Sequence, residues 1–214
     1  MARPRSLSPL LVFAALMRLY REITHYASIL HAKEIARRMF VTNSFDGLLS
    51  SLGIILGNYV SGTTSLESYV GTVVGASFSL GFFSGVIATY LSERAERLRE
   101  LHRTERVMLH TLRGTIYEKA AKLVPVYVAA WSGLGAIVLP LIGVSPFLLA
   151  LGMGLNAPIH VLVYASAAIM IAELFGLGYY LGSISGENKL MSGLRMALIG
   201  VGSVLFFTLI HVAG

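Results

Sequence analysis

Two acids sit where charge is costly: Asp46, in Asn43-Ser44-Phe45-Asp46-Gly47-Leu48, and Glu173, in Ala172-Glu173-Leu174, each inside a long apolar run. An ionised side chain at membrane depth costs on the order of 2.5–3.5 kcal/mol even on insertion scales, so such groups mark ion paths or proton relays. Two carboxylates at matched depth can hold a divalent cation or exchange it for protons, and Asn43 can assist Asp46. Each acid also has a structural reading. Asp46 can cap a helix break or pair with an interfacial arginine, and Glu173 can be a protonated acid bonded to a neighbouring helix. A second acidic set occupies the charged stretch 93–122. Glu93, Glu96 and Glu100 recur at i, i+3 and i+7, one column on a helix face. Glu105, Met108, His110 and Glu118 complete an oxygen-rich metal site if the segment folds back as a hairpin. The alternative is a solvated helix with i,i+4 pairs such as Glu93 with Arg97. His160 and Asn156 read as interface or structural groups, and His31 and Glu34 contribute only from the side. With no cysteine in the chain, the available metal ligands are carboxylate, imidazole, thioether, amide and carbonyl, a set suited to Fe²⁺ or Mn²⁺. No His-Glu-x-x-His or comparable spacing supports a membrane metalloenzyme.

The elements that must position these groups follow from hydropathy and charge. A 55% hydrophobic fraction with 13% charged residues and a mean hydropathy of +0.72 leaves too little polar surface for a soluble domain. All 17 Lys and Arg residues fall in residues 1–38, 94–122 and 189–195, with apolar runs long enough to span a bilayer between them. Basic residues stay on the cytoplasmic side, so the pattern predicts an all-α membrane protein with five spans, N-terminus cytosolic and C-terminus on the opposite face. Residues 1–38 form a cytosolic or interfacial segment, with an amphipathic helix over 9–38, and no removable signal peptide is expected. Residues 39–92 hold the first two spans, 93–122 a short cytosolic helical segment broken near Gly114, and 123–214 the last three spans. The third span ends near Pro140 and Pro146. A break around 152–158 leaves 147–151 as a re-entrant piece or outer cap. Anionic lipid headgroups account for the formal charge of +6, and nucleic acid is not an expected partner. Gly53-x-x-x-Gly57 and Gly71-x-x-x-Gly75 fit close helix contact within one chain or between two copies.

Several motifs resemble the vacuolar iron transporter family: Asn43-Ser44-Phe45-Asp46-Gly47-Leu48, Tyr90-Leu91-Ser92 leading into a charged helix, Leu139-Pro140-Leu141, and Ser192-Gly193-Leu194-Arg195-Met196 with Gly200. The resemblance covers the chain from about residue 34 onward. It implies a five-span homodimer that moves Fe²⁺ or Mn²⁺ out of the cytosol against protons. Asp46 matches the family's first-span aspartate, and Glu93, Glu96, Glu100, Glu105 and Glu118 stand where its cytosolic glutamates cluster. The chain departs from the pattern at Gly85 and Thr89, which fall where the family has methionine and glutamate. Its cytosolic segment is also shorter and more basic. The combined reading is a proton-coupled exporter of a divalent cation in a plasma or organellar membrane, with the bilayer, the ion, protons and a second copy as partners and no resident cofactor. The rival is a membrane scaffold or sensor that binds metal or lipid at the cytosolic face without transport.

Overall fold

Apolar length dictates the architecture, and a computed structural model describes residues 32–213. Helix α1 is Ala32–Val60. Helix α2, Leu66–Met108, is π-helical over Ser79–Ala88. Then follow α3, Ile116–Gly143, a short α4, Ser145–Met153, α5, Ile159–Ser185, and α6, Lys189–Ala213. All but α4 are long and apolar enough to cross a membrane. The all-α, five-span architecture is therefore as expected, with no strand among the described residues. At nine residues, α4 reaches roughly 14 Å, about half of a hydrocarbon core. It opens with Pro146 in its first turn and ends at Gly154, whose φ of 62° closes the helix in the left-handed region. Pro158 then caps α5.

Contacts divide the chain into two units. In residues 37–88 and 130–214, Leu48, Leu52 and Ile55 of α1 share a core with Tyr69 and Val73 of α2, Phe147 of α4, and Val163, Met170 and Leu174 of α5. Tyr69 stacks on Phe147 with ring centroids 4.6 Å apart, which seats α4 on α2. Polar pairs tie α1 to its neighbours: Ser51 with Ser77 at 3.4 Å and Asn58 with Thr72 at 3.0 Å. In lipid such interhelical bonds and small residues replace the hydrophobic drive between helices. Gly81 and Gly85 let α2 meet α3 at Gly133, and a Cβ on Gly85 would lie 2.7 Å from the Gly133 Cα. Gly178 and Gly182 do the same between α5 and α6 against Ser192 and Lys189.

The other unit comprises residues 89–129 with the described residues up to Ala36. The chain reverses over residues 109–115, where Leu109 and Gly114 have φ of 52° and 77°. Glu105 accepts the Leu112 N–H at 2.8 Å, and Glu118 accepts the Gly114 N–H at 2.6 Å. The segment therefore does fold back as a hairpin near Gly114.

Helix boundaries differ from those read off hydropathy. Helix α1 already includes Ala32, the first described residue, α2 continues through the charged stretch to Met108, and α3 begins at Ile116 and runs through Pro140 to Gly143. Glu, Arg and Leu are good helix formers, so nothing in 93–108 stops a helix at the membrane boundary, and proline is tolerated inside spans where neighbours satisfy the freed groups. Most of the expected amphipathic helix at 9–38, with His31, lies outside the described residues. Its described end belongs to α1.

Candidate functional site

Polar oxygens line the contact between α1 and α3, next to Asp46 in the chain. The Asn43 Nδ2 donates to the Met39 carbonyl at 3.1 Å and to the Ser132 Oγ of α3 at 2.7 Å, which fixes its amide and leaves Oδ1 as the remaining acceptor. Ser44 is fully buried, and its Oγ has no hydrogen-bond partner among the described residues. Next to Asp46, Gly47 lets α1 approach α3 so closely that a Cβ would lie 3.0 Å from the Ala136 carbonyl oxygen and 3.2 Å from the Pro140 ring. Residue 140 has no N–H, so the Ala136 carbonyl lacks its ordinary helical donor. Amide, hydroxyl and carbonyl oxygens thus line the α1–α3 contact over about one turn of α1. Asp46 itself is exposed, in line with exposed Thr42 and Ser50 at i−4 and i+4. Ser132, Ser44 and the Ala136 carbonyl were not singled out from sequence. The signal for the last was Pro140, four residues on.

Glu173 lies at the same depth by a chain of contacts. Pro140 packs on Gly47, and Gly143, one turn further along α3, packs on Met170 of α5. Consecutive spans run oppositely, so Glu173, one turn beyond Met170, falls level with Pro140 and hence with Asp46. The two acids differ in exposure. Both Glu173 oxygens are buried without a hydrogen-bond partner among the described residues, as is the Ser166 Oγ, seven residues earlier and within about 20° of the same azimuth. His160 and Asn156 are exposed near the opposite end of α5. Among the described residues, no three His, Asp or Glu side chains converge as a metal site.

The acids of the charged segment already have protein partners. Arg97 binds Glu93 at 2.9 Å and Glu100 at 3.0 Å, so the i,i+4 pairing read as the alternative is present. Exposed Glu96 lies 3.8 Å from Arg99. Glu105 accepts Leu112 N–H, and Glu118 is held by Lys122 at 2.7 Å and Gly114 N–H. The Lys122 bond and then the Gly114 bond hold the Glu118 carboxyl below the usual carboxylate range. Met108 is exposed, and His110 Nδ1 lies 2.6 Å from the Thr111 carbonyl oxygen. Gly85 is the contact point with Gly133, and Thr89 is buried.

A five-span helical bundle with oxygen donors set into its spans defines an integral membrane protein with a candidate ion path. The model of the VIT family matches residues 92–210, more than half of the chain, and the chain belongs to that family of vacuolar iron transporters. The matched stretch includes Glu173 and the acids of the charged segment and begins beyond Asp46. An uncharacterized protein of Methanocaldococcus jannaschii is 28% identical over 167 residues, covering 76% of this chain and 82% of that one. No solved structure gives a significant match.

Proposed function

We propose that this protein exports a divalent metal ion, Fe²⁺ or Mn²⁺, from the cytosol in exchange for protons, along a path that uses Asp46 and Asn43, with Glu173 as the second intramembrane carboxylate. Family membership implies metal-ion transport. The observation that supports the site is a charged Asp46 inside an apolar span, beside an α1–α3 contact where Asn43 is oriented by Ser132 and the Ala136 carbonyl is left without its helical donor. Hard donors without thiolate suit Fe²⁺ and Mn²⁺, and carbonyls freed within a span are a recurrent means of holding a dehydrating ion. Carboxylates bind metal only when deprotonated, so loading displaces protons and flux falls when the loading side is acidified.

The stripe Thr42, Asp46, Ser50 supports a homodimer. Ionisable groups in spans face protein or water rather than lipid, and a second copy over α1 supplies that cover. The one-sided basic residues support a cytosolic N-terminus and an opposite C-terminus. Proteoliposomes loaded with a metal-sensitive dye, challenged with Fe²⁺, Mn²⁺, Zn²⁺ and Co²⁺ with and without a pH gradient, test the reading. Uptake of Fe²⁺ or Mn²⁺ that responds to the gradient is expected. No flux from protein that still binds metal at its cytosolic face would instead make it a scaffold or sensor.

A further inference from the structure

The carboxylates at the cytosolic end of α2 already enclose a cation. Glu93, Arg97 and Glu100 stand at i, i+4 and i+7, and the guanidinium bridges the outer two, Nε to Glu93 Oε1 at 2.9 Å and Nη1 to Glu100 Oε2 at 3.0 Å. This is not an ordinary solvated pair. The Arg97 side chain is 10% exposed and that of Glu93 13%, while Glu100, at 61%, closes the bridge from the water side. Arginine stays charged at every accessible pH, and its rigid fork suits two carboxylates at once. A metal ion entering between Glu93 and Glu100 must expel that guanidinium, and a partly buried charge stripped of its partner is strongly unfavourable. The surroundings have room for a smaller cation. A cavity of about 80 Å³ adjoins the bridge, lined by Arg97, Glu100, Thr104 and, across the turn, Leu112 and Tyr117.

We propose that Arg97 is the resident cation of the Glu93–Glu100 pair, a specificity-determining residue that keeps divalent ions off this part of the cytosolic segment. The column then serves as a closed structural clasp, and an ion bound for the membrane path is not gathered there. This reading concerns equilibrium binding and stands apart from flux.

The test is Mn²⁺ binding to full-length detergent-solubilised protein, read from the free-Mn²⁺ electron paramagnetic resonance signal. An Asp46→Asn, Glu173→Gln background removes the two intramembrane carboxylates, so a failure of the transport reading does not affect the result. In that background Glu93→Gln with Glu100→Gln should leave Mn²⁺ binding unchanged. Arg97→Met should add a site at least tenfold tighter than any in the parent, and that site should vanish when the two Gln substitutions are combined with it. Loss of Mn²⁺ binding on Glu93→Gln with Glu100→Gln alone would overturn the proposal, because the pair would then already be a metal site. A folded Arg97→Met protein that gains no site would overturn it equally. If Arg97→Met does not fold, the Gln pair still decides.

Discussion

Asp46→Asn keeps the side-chain shape and removes the charge that offsets a dehydrated divalent ion. Metal flux in proteoliposomes should fall about 100-fold or more, roughly 2.7 kcal/mol in the barrier, with the melting temperature and elution volume retained. Glu173→Gln separates the two acids. Wild-type flux and pH dependence in that variant would leave Asp46 to work with Asn43 and the Ala136 carbonyl. Gly85 provides the opposite experiment, because placing methionine there should harm the protein. The new Cβ would meet the Gly133 Cα at 2.7 Å, a backbone contact that no rotamer relieves. Overpacking of this kind costs about 1–3 kcal/mol, so Gly85→Met should melt several degrees lower without gaining metal affinity.

At the scale of elements, the number, type and order of the spans were legible because 20-residue apolar runs and confined basic residues are strong signals. The ends were not. Hydropathy marks where a helix leaves the membrane, whereas Leu66–Met108 continues as far as helix-forming residues allow. The site was legible as acids but not as surroundings. Asn43 and Asp46 stand out in the sequence, while Ser132 and Ala136 acquire meaning only once Gly47 brings α1 onto α3. The same geometry predicts the effect of Pro140→Ala. An N–H at residue 140 gives the Ala136 carbonyl its helical partner and removes a penalty of about 3 kcal/mol. The variant should therefore melt higher yet transport more slowly, and unchanged flux would remove that carbonyl from the path. In the charged hairpin, Glu118 titrates below its ordinary value because Lys122 and Gly114 bind its ionised form. Its stabilisation is complete above the unfolded carboxylate pKa and is lost as pH falls through the lower folded value. Glu118→Gln should thus speed hydrogen exchange at residues 109–118 at neutral pH, and the difference from wild type should close in acid.

For the whole molecule, orientation and assembly are the properties to measure. Cysteine placed at Ser65 should label from outside intact cells and cysteine at Arg103 only after permeabilisation; the reverse would invert every role given above. Of the glycines noted in sequence, Gly53 faces Phe207 of α6, with 3.5 Å between its missing Cβ and that ring, while Gly57, Gly71 and Gly75 face open space. A dimer that uses the open glycines should be weakened by Gly71→Leu with Gly75→Leu, seen as a smaller protein mass by light scattering after subtraction of detergent. The π-helical stretch Ser79–Ala88 bears on how this chain is compared with its relatives. Its hydrogen bonds close over five residues instead of four, so successive side chains are spaced differently around the axis than in the α-helix on either side. Equal residue counts across this stretch therefore do not mean equal angular positions. A relative with purely α-helical winding there can align with this chain column by column and still point its matched residues elsewhere. Gly85 and Thr89 are the positions affected, and their counterparts are better found by superposing the face that meets α3 than by pairing letters.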